Sequence, residues 1–102
     1  MQFDVFHNQN KDTNRLIPYL LDLQANLLDG LATRVVAPLI LSSHGKAIKH
    51  LHPVFTVENK KVILLANELA GVPIALLGEK VVSLSSHRQE IISALDFLFT
   101  GF

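Results

Sequence analysis

Five histidines carry most of the reactive potential of this 102-residue chain. His50 and His52 stand two apart in KHLHP, and in an extended segment their side chains would share a face. Two imidazoles on one face are half of a zinc site. Such sites take about three or four protein ligands, and no third ligand lies close in sequence. An exposed pair in a loop is the simpler reading. Ser42-Ser43-His44 sets hydroxyls beside an imidazole, but the members of a nucleophilic triad meet in space, so adjacency in sequence carries little. His87 and Arg88 fall where a helix begins, and capping or surface duty accounts for them as well as proton transfer does. Asp22 and Asp29 bracket an apolar stretch, and strand-end or turn duty suffices for both. The chain has no GxSxG, no phosphate-cradling P-loop and no paired acidic motif. The expectation is a protein that is not an enzyme, with no catalytic residues, no metal ligands and no cofactor.

Composition narrows the remaining classes. Nine Lys and Arg balance nine Asp and Glu, so net charge exerts no long-range pull on nucleic acid. The absence of cysteine removes disulfides and thiol chemistry and suits a reducing cytoplasm. MQFDVFHNQNKD has no basic region followed by an apolar run, unlike a signal peptide. The apolar stretches fall short of the roughly 18 residues of a membrane helix. With no repeat, low-complexity tract or linker, residues 1–102 are expected to form one cytoplasmic domain.

The pattern along the chain is mainly that of strands. Met1 to Phe6 alternates, with Met1, Phe3 and Val5 on one face. Asn8 to Asn14 has no apolar residue and reads as an exposed loop. Leu16 to Leu23 resumes as a strand, with Pro18 marking an edge or bulge. Gln24 to Thr33 is turn-like around Asp29-Gly30. Arg34 to Leu41, RVVAPLIL, reads as a buried strand, and Ser42 to Lys49 as a second polar loop. Pro53 to Val57 and Lys61 to Leu65 flank Glu58-Asn59-Lys60 as a hairpin. Glu68 to Pro73 reads as a break, and Pro73 to Leu77 as one more short strand. That makes about six strands. Ser85 or Ser86 can then cap a helix of roughly 13 to 15 residues, with Gln89 at capping-box spacing from Ser86 and Ile91, Leu95 and Leu98 on its apolar stripe. Strands followed by one helix make an α+β, mainly β fold: a small barrel or antiparallel sheet with the helix packed on it.

Two apolar features have no evident place in that plan. Leu27-Leu28 lies in a loop, and the sequence ends Phe99-Thr100-Gly101-Phe102. Either these side chains fold back into their own core, or they form a self-complementary dimer surface or a partner site.

MQF-V, LDLQANLLD, RVVAPL, ELAGVP and LSSHRQEIISALDFLFTGF, in that order and spacing, resemble the CcdB toxins of toxin–antitoxin pairs essentially end to end. Differences in length fall in the polar loops Asn8 to Arg15 and Ser42 to His50. The resemblance implies a small homodimer whose subunit is an SH3-like barrel with a minor second sheet and a long C-terminal helix. It implies a protein that binds the A subunit of DNA gyrase and holds it in its DNA-cleaved complex, and that a CcdA-like antitoxin neutralises through a disordered segment. DNA would be met only through gyrase or the antitoxin.

The resemblance also assigns residues. Leu27, Leu28, Asp96, Phe99, Thr100, Gly101 and Phe102 match the gyrase-binding positions, and Leu27, Leu28, Leu69, Phe99 and Phe102 are expected at the dimer interface. Lys11 and Arg15, in the first polar loop, are expected to meet acidic antitoxin residues. The family's best-known ending is Trp-Gly-Ile. Here Gly101 matches and Phe102 keeps a bulky apolar residue, but Thr100 cannot stack as a tryptophan does. Either gyrase affinity is lower or Phe99 and Phe102 carry more of it. Other readings stay open: a non-toxic member acting as an antitoxin-binding module, an endoribonuclease toxin on the same barrel, or a structural adaptor dimer. Neutral charge disfavours the ribonuclease.

Overall fold

A computed structural model describes residues 1–101. Among them the strands are β1 (Asp4–Asn8), β2 (Tyr19–Asp22), β3 (Thr33–Leu41), β4 (Val54–Val57), β5 (Lys60–Leu64), β6 (Ala70–Pro73) and β7 (Leu77–Ser83), followed by helix α1 (Arg88–Thr100). All pairings are antiparallel. The sheet runs β4-β5-β3-β2-β1-β7, with β6 also bonded to β3.

The apolar run RVVAPLIL is the spine of this sheet. β-branched residues suit a pleated, buried surface, and Val36, Ala37 and Leu39 are buried. One edge of β3 pairs with β2, from Tyr19↔Leu39 to Asp22↔Val36. The other edge is shared: Leu39 to Leu41 face β5, and Thr33 to Val36 face β6. A strand serving two partners along one edge lets the sheet curl into a half-barrel. Val5, Leu21, Leu39, Val57, Val62 and Leu64 fill its inside, and Ile91 and Ala94 of α1 close it. Fold class is therefore as the sequence indicated, mainly β, curled and antiparallel, with one C-terminal helix, except that the minor second sheet implied by the resemblance is not separate: β6 bonds to β3 and all seven strands form one sheet.

The hairpin also forms as expected. Glu58 and Asn59 are its two turn residues, both left-handed at φ 50° and 63°, the conformation that matches the twist of the flanking strands. Buried Tyr19 donates its hydroxyl to Glu58 Oε1 at 2.5 Å and ties the turn to β2. Burial, then this bond to Glu58, pushes the Tyr19 hydroxyl up to about 12.

Several boundaries differ from expectation. Glu68 to Pro73 is not simply a break, because its last four residues are β6, bonded to β3. Pro73 to Leu77 is not a strand; Ile74–Leu76 make a 3-10 turn. β7 was unanticipated, so seven strands replace six. Glu79-Lys80 interrupts its apolar pattern, and pairing with β1 supplies what local pattern lacks. Gly78 sits where that ladder shifts register, and a Cβ there would lie 3.0 Å from the His7 carbonyl oxygen. Met1 does not share the buried face of Phe3 and Val5: it is exposed, and Phe3 breaks the alternation at φ 70°. β2 begins only after Pro18.

The helix has the expected length, 13 residues, but not the expected cap. Ser85–His87 form a 3-10 turn leading into α1, and no serine side chain caps it. His87 Nδ1 instead lies 3.1 Å from Glu90 Oε1, across the first turn. At the other end Gly101 is left-handed at φ 78° and donates its N–H to the Phe97 carbonyl at 2.9 Å, a stop only glycine adopts cheaply.

Candidate functional site

The histidine pair does not form a metal site. His52 is buried; its Nδ1 accepts the Ile48 N–H at 3.0 Å, which leaves the proton on Nε2, 2.6 Å from Asn67 Oδ1. Both nitrogens are thereby committed to holding the loop. His50 is exposed, with its ring 5.9 Å from that of Phe97. No three potential ligands cluster among the described residues. Ser42–His44 form a surface 3-10 turn, and His44 lines a recess with Asp12, Arg15 and Leu16.

Asp22 and Asp29 converge on Arg34, a residue the sequence showed only as the head of an apolar run. Arg34 Nη2 donates to Asp22 Oδ2 and Nη1 to Asp29 Oδ1, each at 2.5 Å. Burial pulls the guanidinium pKa down, but the bonds to Asp29 and Asp22 outweigh it and raise the value above the ordinary one. With Nη1 and Nη2 each on a carboxylate and only Nε left without a partner, the guanidinium serves as a brace between Asp22 and Asp29. The signal was present: one arginine opening a hydrophobic strand must find carboxylates, and an aspartate lies on either side of the turn before it.

That turn carries Leu27 and Leu28. Asn26–Leu28 form a 3-10 turn between β2 and β3, with Leu27 97% exposed and Leu28 about half exposed. The two leucines do not fold back into the core. Neither does Phe99, which is 71% exposed on the last turn of α1 beside exposed Asp96 and Thr100. Thr100 Oγ1 donates to the Asp96 carbonyl at 2.6 Å, so the hydroxyl is spent within the helix. Leu69 is partly buried against the core. Phe102 lies outside the described residues. The apolar positions thus occupy two elements, the β2–β3 turn and the end of α1. Leu31, Val35 and Ile74 are also exposed and apolar.

Lys11 and Arg15 are exposed in the loop after β1. Buried Asn8 shapes this loop, donating to Thr13 Oγ1 at 3.0 Å and the Ile17 carbonyl at 2.9 Å, while its own Oδ1 accepts the Asn10 N–H at 3.0 Å. Neither cation has an ion-pair partner among the described residues.

The whole fold resembles solved toxins. The Mycobacterium tuberculosis toxin MazF-mt6 is 16% identical, with TM-score 0.74 over 94% of this chain and 95% of that one. A mycobacterial endoribonuclease in complex with its cognate antitoxin is 12% identical, with TM-score 0.77 over 96% and 92% of the two chains. At such identities the likeness is one of fold. The CcdB protein family matches residues 2–101. The curled sheet, the terminal helix and a match over essentially the whole chain place this protein in the CcdB family of toxins from toxin–antitoxin systems.

Proposed function

We propose that the protein is a homodimeric gyrase poison, which binds the A subunit of DNA gyrase and traps the DNA-cleaved complex without itself being an enzyme. The observation that carries this reading is the exposure of Phe99 and Leu27, two large apolar side chains that contribute little to their own fold, at positions the family uses for gyrase. The reading extends to Leu28, Asp96, Thr100, Gly101 and Phe102 as further gyrase-binding residues. Leu27, Leu28, Leu69, Phe99 and Phe102 would also lie at or near the shared surface of the dimer, where a two-fold axis lets one patch serve both subunits. Lys11 and Arg15 would receive acidic residues of a disordered CcdA-like antitoxin. No helix among the described residues is long and apolar enough to cross a membrane, and we assign the protein to the cytoplasm, where gyrase is.

Acid–base chemistry has little support. Two histidine–carboxylate pairs lie at the surface: His87 and Glu90, 3.1 Å apart across the first turn of α1, and His7 and Glu58, 3.8 Å apart, with Glu58 already engaged by Tyr19. Induced expression in a gyrase-sensitive bacterium, scoring growth and DNA cleavage together, tests the reading. Growth arrest with cleaved DNA supports it. Arrest with cleaved RNA and intact DNA would replace it with a ribonuclease, and unimpaired growth with a non-toxic, antitoxin-binding relative.

A further inference from the structure

The β2–β3 turn is short, exposed and apolar, yet three buried polar side chains hold it from beneath. Arg34 is 6% exposed and bridges Asp22, which is buried, to Asp29, which is not. Gln24, also buried, donates Nε2 to the Leu28 carbonyl at 2.9 Å and to the Thr33 carbonyl at 3.3 Å, and its Oε1 accepts the Val35 N–H at 3.0 Å. Asp22 Oδ1 accepts the Gln24 N–H at 3.0 Å. From the far side, Asn26 Oδ1 accepts the Gln2 N–H at 2.8 Å. Both ends of Asn26–Leu28 are therefore pinned.

A connection between two strands does not require this. Turn residues that bond their own backbone would make it at lower cost than a buried arginine, glutamine and aspartate. Stability alone is served as well by apolar side chains, since a buried ion pair often gains nothing over a hydrophobic replacement. What the frame supplies is geometry. The arginine fork is planar and engages both carboxylates at fixed angles. At the tip stands Leu27, with almost no contact to its own chain.

We infer that Arg34, Asp22, Asp29 and Gln24 are positioning residues that pre-order the turn so that Leu27 is presented as a preformed anchor for an apolar recess on a protein partner. The inference rests on the proposed reading that this turn contacts gyrase. A tip ordered before the encounter does not lose its freedom on binding, and that loss is a main cost of association. The frame converts buried charge inside the toxin into affinity outside it.

Asp29→Ala is the informative change. Asp29 is 46% exposed, so its loss leaves the buried Asp22–Arg34 pair in place and the fold intact. On the free protein, amide exchange at Leu28 and Leu31, whose N–H groups donate within the turn, should accelerate about tenfold or more while the global unfolding midpoint hardly moves. Affinity for a purified gyrase A subunit should fall about tenfold. Leu27→Ala should weaken binding strongly in the wild-type background and much less in Asp29→Ala, because a mobile tip has less to lose. Unchanged exchange, or strictly additive losses in the double variant, would overturn the inference. Wild-type protein that ignores the gyrase subunit would overturn the gyrase reading instead, and amide exchange alone would then decide whether the frame orders the turn.

Discussion

Ile91→Ala and Phe99→Ala, made separately, divide α1 into a half that supports the fold and a half that meets partners. Ile91 is fully buried against the sheet. Truncating it removes buried surface and leaves a cavity, a loss of about 2–5 kcal/mol. Phe99 has less than a third of its surface covered. Full burial of such a side chain is worth about 1.5–3 kcal/mol, so its removal should cost about 1 kcal/mol or less. In a domain of this size each 1 kcal/mol moves the melting temperature by about 4–8 °C. Ile91→Ala should thus melt about 8 °C or more below wild type, and Phe99→Ala within about 8 °C of it. Binding should rank the other way for Phe99: an aromatic anchor is worth about 2 kcal/mol or more, near thirtyfold in affinity. Melting followed by circular dichroism at two protein concentrations separates folding from subunit association, and titration against immobilised gyrase A subunit reads the second quantity. A Phe99→Ala protein that melts as low as Ile91→Ala, or that binds gyrase undiminished, would refute this division.

Asp22→Asn strips the buried Arg34 of its buried counter-charge and should lower unfolding stability by about 3–5 kcal/mol, read as a shift in urea midpoint. Asp29→Ala, on the exposed arm of the same arginine, should cost under about 1 kcal/mol. Tyr19 is the only tyrosine and there is no tryptophan, so ultraviolet absorbance reports its ionisation directly. The midpoint should lie near about 12, not 10. Because the folded value is raised, the stabilisation is complete below pH 10 and is lost as pH climbs from there through about 12; a midpoint near 10 would mean that neither the burial of Tyr19 nor its bond to Glu58 holds in solution. Reversing charge at Lys11 and Arg15 together should weaken antitoxin binding and flatten its salt dependence, and unchanged affinity and salt slope would remove this loop from the antitoxin surface.

How much was legible in the sequence followed how local the cause was. RVVAPLIL announced a buried strand because β-branched residues crowd it. The hairpin was readable because two strand-like runs flank a polar turn. β7 was hidden because Glu79-Lys80 breaks its pattern, and only pairing with β1 makes Leu77–Ser83 a strand. The serine cap was a sound local rule that the 3-10 turn at Ser85–His87 displaced. The exposed positions Leu27 and Phe99 were legible as apolar residues out of place. The frame beneath Leu27 was not, because Asp22, Gln24, Asp29 and Arg34 meet only once β2 and β3 pair.

Incubating gyrase and supercoiled DNA with the full-length protein, and with a version lacking residues 100–102, tests the central claim most directly. Ile91 and Ala94, the buried residues of α1, are untouched by that truncation. The account predicts that the full-length protein accumulates cleaved DNA, while the shortened one melts nearly as before and traps none. Cleaved DNA trapped equally by both would show that the chain's apolar end is not what gyrase meets. No trapping by the full-length protein would contradict the gyrase reading itself.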